Sequence, residues 1–371
     1  MSVYWNTRTK GLSPYVPGEQ PQNGQFIKLN TNENPYPPSP GVLEAVKKAA
    51  DEKLRLYPDP ACTVFREAAA ARYGVKPEQV FAGNGSDEVL AFAFAAFFES
   101  GRNALPVLFP DITYSFYPVY AELWGTPFRT VPLAEDFSVV IGDYLVPSGG
   151  AVIANPNAPT GISLSLDGIF ALASHLERQE RVLVVDEAYA AFAGNGGTDG
   201  RGGTGRMCPA GSAVPFIEKY RNVLTVHTLS KSASLAGLRA GFAIGDQELI
   251  EGLCRVRDSF NSYTLDRIAL AGATAALSDA AYYNGTNEKI IKTRGRVSAE
   301  LKGMGFTVLP SSANFVFVKH PRLGGKEFFT ALRERGILVR HFDRPRIAGY
   351  LRISIGLDGD MDRFLDACRR M

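Results

Sequence analysis

The apolar pair Val184-Val185 runs directly into Asp186-Glu187-Ala188-Tyr189. A strand ending in a carboxylate sets Asp186 at the sheet's carboxyl edge and partly buried, where a charge is costly unless something neutralises it. A helix cap or buried ion pair would serve, and so would a cationic heterocycle, with Tyr189 close enough to face the same ligand. The run Asn222 to Val226 leads into Thr228-Leu229-Ser230-Lys231-Ser232-Ala233. A lysine between two hydroxyl residues at a strand end is oddly placed for a solvated charge. Depressed by burial or by a nearby cation, its amine becomes a nucleophile able to form a Schiff base. Eight residues on, Arg239 in Gly237-Leu238-Arg239-Ala240-Gly241 opens another strand. Its guanidinium suits a phosphate or an ordinary ion pair.

The turn Gly83-Asn84-Gly85-Ser86-Asp87-Glu88 joins a strand to the apolar helix predicted over 89–98. Ser86 or Asp87 is placed to cap that helix, and the unpaired amides of its first turn favour an anion. A tight turn before a capped helix would look the same. Taken together, the segments offer an anion cradle, an arginine, a nucleophilic lysine and an acid for a ring nitrogen. Those are the requirements of pyridoxal phosphate.

The elements that must position these residues alternate. Short apolar runs predict strands at 79–82, 105–109, 151–154, 182–185, 222–226 and 239–244, separated by helical spacing such as Leu43, Val46, Ala50 and Leu54. Strands alternating with helices give βαβ units and a mainly parallel sheet, with ligands at the strands' carboxyl ends. Toward the C-terminus the pattern changes. A long helix (288–304) precedes strands at 306–309, 314–318 and 350–355, with helices at 326–335 and 361–370. The expected organisation is an arm (1–40) rich in Pro, Asn and Gly, a large α/β domain (41–286) and a small α+β domain (287–371).

Forty Lys and Arg against 38 Asp and Glu give a net charge of +2, which argues against a nucleic-acid or membrane-surface protein. The longest apolar run, Val89 to Phe98, is half the roughly 20 residues of a membrane-spanning helix. No leader-type stretch opens the chain, and the four cysteines are scattered, as expected of a cytoplasmic enzyme. The absence of a HExxH motif disfavours zinc. The segment 194–205 (GNGGTDGRGGTG) lacks the GKS/T ending of a nucleotide loop and reads as a surface insertion.

Over nearly its whole length the sequence resembles the pyridoxal-phosphate aminotransferases of the aspartate-aminotransferase fold, and among them the histidinol-phosphate aminotransferases. The likeness lies in Leu12 to Tyr15, LNTNENPYP (29–37), Arg55 to Pro58, the Gly-rich turn, PDITYSFY (110–117), NPNAPTG (155–161), VDEAY, TLSKSASLAGLRAGF, Asn314-Phe315 and Leu351 to Ser354. It implies a mainly parallel seven-stranded sheet between helices, plus a small α+β domain. It further implies that Lys231 bonds the cofactor and moves a proton, Asp186 pairs with the pyridinium nitrogen, Tyr189 bonds the ring hydroxyl and Tyr114 stacks on the ring. The backbone amides of Ser86 and Asp87, with Ser230 and Arg239, would hold the phosphate. Tyr57 would reach the phosphate of the neighbouring subunit in a homodimer. Arg352 would take the carboxylate of glutamate or 2-oxoglutarate, while Arg340 and Tyr15 would contact histidinol phosphate. By itself, Arg340 in its basic stretch with Arg344 and Arg346 reads equally as a solvated face.

One position departs from the resembling pattern. Ala158 stands where an asparagine would bond the ring oxygen, leaving Asn157 or Asn155 as a substitute. Alternatives on the same scaffold are an aromatic-amino-acid aminotransferase and a threonine-phosphate decarboxylase. A ligand-sensing half of a transcription regulator would need a DNA-binding domain ahead of the large domain, and a scaffold protein would not need these strand-end residues.

Overall fold

The computed structural model describes residues 3–21, 26–194, 209 and 211–371. Residues 195–205 of the Gly-rich segment lie outside them. Seven strands form the main sheet, in the order Val80–Gly83, Gly241–Gly245, Val223–Thr228, Leu183–Asp186, Gly150–Ala154, Val107–Pro110 and Phe128–Val131. All pairings are parallel except those of Gly241–Gly245, which runs antiparallel to both neighbours. The interior strands are buried throughout and read as continuous apolar runs, as parallel strands covered on both faces must.

Alternation along each strand divides the side chains between two cores. Leu183 and Val185 join the core under helices Pro40–Ala49, Thr63–Tyr73 and Arg267–Ser278. Val184 joins the opposite core, under Gly85–Phe97, Phe116–Trp124 and Gln247–Phe260. By the same parity Asp186 turns toward the second core, where Tyr117 waits for it.

The C-terminal part is built on a four-stranded antiparallel sheet, Arg340–His341, Tyr350–Ser354, Phe315–Lys319 and Thr307–Val308 in order. The long helix Ala280–Gly303 crosses residues 286 and 287 without a break. Its Tyr283 packs with the large sheet, whereas Ile290, Val297 and Leu301 pack with the small one. The arm enters through Ile27–Lys28, which pairs in parallel with Ile337–Leu338.

Four strands were absent from the sequence pattern, among them the two-residue pair Ile27–Lys28 and Ile337–Leu338. Phe128–Val131 is a sheet edge whose first three residues are exposed, so no apolar run marks it. Arg340–His341 is two polar residues long. The helix at 40–49 also stops short of the predicted spacing, and Leu43 and Leu54 stand exposed rather than in the core.

Candidate active site

The carboxyl ends of the strands and the arm enclose a cavity of about 230 Å³. It is lined by Tyr15, Ser86, Asp87, Tyr114, Asp186, Tyr189, Ser230, Lys231, Arg239, Arg340 and Arg352, every one expected from the sequence. Two expected residues are elsewhere. Tyr57 is 77% exposed and stacks on Tyr263, ring centroids 4.5 Å apart, on the outer surface of the chain.

Asn157 is the second. Its Oδ1 accepts from Thr113 Oγ1 at 2.8 Å, and its Nδ2 donates to the Ile112 carbonyl and to Thr160 Oγ1. The amide is buried and fully engaged in its own loop, so it does not line the cavity. Asn155 does not either, because its amide ties the loop to Leu164 and Gly211. Ala158 lies on the cavity wall, with Ala313 and Phe315 packed beside it. The two asparagines therefore leave the place opposite Ala158 unfilled by an amide.

Lys231 follows the buried strand Val223–Thr228, in a short helix that Thr228 caps through Ser230 N–H. Its Nζ donates to the Thr31 carbonyl at 3.0 Å. Burial first, and then the nearby Arg352, lowers its pKa to about 8, so a large share of the amine is neutral at mildly alkaline pH. Asp186 is buried at the end of its strand. Tyr117 Oη donates to one of its oxygens at 2.8 Å, and the Ala188 amide donates to the other. Burial pushes the carboxyl up to about 6 despite both bonds, so a cationic partner would be welcome there. Tyr117 was not singled out in the sequence; the parity of Asp186 and the position of the tyrosine in PDITYSFY were the available signals.

The anion cradle is steric as well as polar. Neither Ser86 nor Asp87 caps the helix as expected: it begins at Gly85, and Glu88 reaches back to the Asn84 amide at 2.7 Å. Ser86 and Asp87 thus lie in the first turn, where amides are unpaired. A Cβ on Gly85 would sit 2.7 Å from an Arg239 nitrogen, and one on Gly241 only 2.4 Å from Ser86 N, so both glycines are needed for this approach. Arg239 has φ of 52°, an uncommon conformation for a non-glycine residue. Its guanidinium pairs with Asp87 at 2.8 Å and donates to Ser230 Oγ at 3.4 Å. Ser230 Oγ also accepts from Thr228, which leaves its own proton free for an anion. Asp87 accepts from Tyr114 Oη at 2.7 Å, fixing that ring against the cavity.

At the opposite end, Arg340 and Arg352 are direct partners across antiparallel strands, although twelve residues apart in sequence. Arg352 packs on Phe315 and Phe342, bonds the Asn30 carbonyl, and keeps a buried Nε with no partner. Arg340 holds the carbonyls of Val16 and Pro17, and Tyr15 stacks on Phe116 at 4.3 Å. The arm segment 30–34, which the sequence showed only as a loop, touches Lys231, Tyr189 and Arg352. Among the described residues no group of three or more His, Cys, Asp or Glu could hold a metal, and no helix is long and apolar enough to cross a membrane.

A nucleophilic lysine, a buried acid and an anion turn around one cavity define a class of enzyme, and the chain belongs to the aminotransferase class I and II family, which it matches over residues 24–368. Within it, relatives at about half identity include histidinol-phosphate aminotransferases. It is 51% identical over 366 residues to the histidinol-phosphate aminotransferase of Clostridium acetobutylicum, covering 99% of this chain and 98% of the relative. It is also 51% identical to that of Acetobacter pasteurianus, covering 100% and 98%. Among solved structures, the histidinol-phosphate aminotransferase of Sinorhizobium meliloti in complex with pyridoxal-5'-phosphate superposes with a TM-score of 0.82 at 25% identity, covering 100% of this chain and 99% of that one.

Proposed function

We infer that this enzyme is a pyridoxal-phosphate-dependent aminotransferase that moves an amino group between L-histidinol phosphate and 2-oxoglutarate, giving imidazole acetol phosphate and L-glutamate in histidine biosynthesis. The carrying observation is a single cavity joining Lys231, Asp186 and the Ser86–Arg239 cradle, in a chain half identical to histidinol-phosphate aminotransferases. The residues present fit the cofactor: the glycines leave the cradle open, Ser230 has a free proton, and Asp186 is poised to pair with a ring cation.

When bound, the cofactor supplies an electron sink for a carbanion at the substrate. Lys231 Nζ would attach the cofactor and, once freed as a neutral amine, would hold the proton removed from the substrate carbon. Its lowered pKa suits that work. Asp186 would hold the ring nitrogen in its charged form, and Tyr117 orients Asp186. The backbone amides of Ser86 and Asp87, with Ser230 and Arg239, would hold the phosphate, while Tyr114 would cover the ring and Tyr189 would meet its hydroxyl. Arg352 binds the carboxylate of glutamate or 2-oxoglutarate, while Arg340 and Tyr15 take the phosphate-bearing substrate; a guanidinium suits either anion.

The division proposed is an arm (1–40), a large cofactor-binding domain (41–286) and a small domain (287–371), joined within the helix Ala280–Gly303. The change of core along that helix, from Tyr283 to Ile290, supports it. The proposed assembly is a cytoplasmic homodimer in which Tyr57 reaches the partner's cofactor phosphate. Its exposure, with that of Leu54, Leu56 and Tyr263, supports a covered surface.

The test is visible absorption of the cofactor-loaded protein before and after L-histidinol phosphate, with no keto acid. The expected result is a yellow band that fades. A band indifferent to histidinol phosphate but responsive to phenylalanine or tyrosine would transfer the activity to aromatic amino acids.

A further inference from the structure

Asn32 is 1% exposed, takes a left-handed φ of 56° and lines the cavity from the arm. Its four polar groups are all spoken for. The backbone N–H donates to Ser354 Oγ at 2.8 Å, and Ser354 Oγ donates in turn to Asn32 Oδ1 at 3.0 Å. The Asn32 carbonyl accepts from Asn314 Nδ2 at 2.9 Å. Because Oδ1 faces Ser354, the amide nitrogen faces the other way, and Nδ2 donates to Tyr189 Oη at 2.9 Å.

A phenol has one proton to give and two lone pairs to receive with. Asn32 occupies a lone pair of Tyr189, so the tyrosine's own proton must go elsewhere. Phe315 closes one side of its ring at 5.2 Å, and Ala158 and Ala313, packed in the same cluster, carry no side-chain acceptor. The remaining direction is the cavity.

We propose that Asn32 is a positioning residue: by donating to Tyr189 it aims the tyrosine's proton at the ring oxygen of the cofactor, at the place where Ala158 provides no amide. Ser354 and Asn314 set the aim of Asn32, so the hydrogen bond at the ring depends on how the C-terminal sheet is seated. This inference rests on the reading that pyridoxal phosphate binds here with its hydroxyl facing Tyr189.

The experiment is a pH titration of the visible band of the cofactor-loaded enzyme, with cofactor dissociation constants measured alongside, for wild type, Asn32→Ala, Asn32→Asp, Tyr189→Phe and Tyr189→Phe with Asn32→Ala. Losing a donor hydrogen bond is expected to raise the midpoint by about half a pH unit or more in Asn32→Ala. Asn32→Asp is expected to raise it further, because a carboxylate competes for the tyrosine's proton. In the Tyr189→Phe background the second change is expected to add nothing, since Asn32 acts through that hydroxyl. Midpoints unchanged in both single variants, or equal shifts with and without Tyr189, would overturn the role of Asn32. Should Asn32→Ala fail to fold, Ser354→Ala frees the same amide and is expected to shift the midpoint in the same direction; an unmoved midpoint there rejects the proposal. A wild-type protein that forms no band with added pyridoxal phosphate refutes the cofactor reading itself, which separates the two failures.

Discussion

Asp186 ties cofactor affinity to stability through a single proton. In the folded apoprotein it takes that proton near pH 6, whereas its ordinary value is 3.8. Between those values the folded state holds more protons than the unfolded one, so the contribution of Asp186 to stability falls as pH rises. Asp186→Asn carries no such proton. Relative to the wild-type apoprotein its stability should climb between pH 4 and pH 6, by at most about 3 kcal/mol, and stay level above pH 7. Thermal melts of the two apoproteins across that range check it, and a difference that does not vary with pH would contradict the buried, protonated carboxyl. The same variant should bind pyridoxal phosphate far more weakly. Arg340 makes a second residue-scale case: Arg340→Ala should cost at least about tenfold in kcat/KM with histidinol phosphate and little with an amino donor lacking a phosphate, one charged hydrogen bond accounting for about 1.5–3 kcal/mol. Equal losses with both donors would assign Arg340 to holding the arm through Val16 and Pro17 instead.

Between the strand Gly241–Gly245 and the helix Gly85–Phe97 the backbones approach too closely for any side chain. Gly241→Ala should therefore force the turn apart, lowering stability by about 1–3 kcal/mol and weakening affinity for the cofactor's phosphate. Denaturant melts and titration with pyridoxal phosphate check the two effects; a loss of stability with full affinity would mean that the cradle adapts. The sequence showed this element because a Gly-rich turn between an apolar strand and an apolar helix is a local signal. The interior strands were legible for the same reason: a segment such as Leu183–Asp186, buried on both faces, must be written as a continuous apolar run. Edge and polar strands such as Phe128–Val131 and Arg340–His341 lack that signature. The capping expectation at Ser86 and Asp87 failed because Gly85, with φ of 78°, starts the helix earlier and leaves Glu88 to satisfy the amide. Nothing local distinguished Asn157 from a ligand either. Only the fold shows that its amide is consumed by Thr113, Ile112 and Thr160.

Contacts between segments hundreds of residues apart build the rest of the site, and a sequence read along its length does not display them. Asn32, Tyr189, Ser354 and the Thr31 carbonyl under Lys231 are of this kind. The exposed surface around Tyr57 and Tyr263 is where the proposed dimer would seat a second copy of the chain. Replacing Leu54 or Leu56 with arginine should shift the protein toward monomers in sedimentation and weaken cofactor binding by removing Tyr57 of the opposite chain. Monomers that keep full cofactor affinity would refute the shared site. The stitching of Asn32 to Ser354 has a consequence for how the enzyme comes into being. In a chain emerging from the ribosome every strand of the large sheet precedes residue 246, and the helices Gln247–Phe260 and Arg267–Ser278 that cover its two faces follow directly. The amide that steers Tyr189 stays unfixed, and Arg352 has not yet been made. The proposed cradle residues, from Ser86 to Arg239, are thus synthesised well before Arg340 and Arg352, the two arginines proposed to select the substrate.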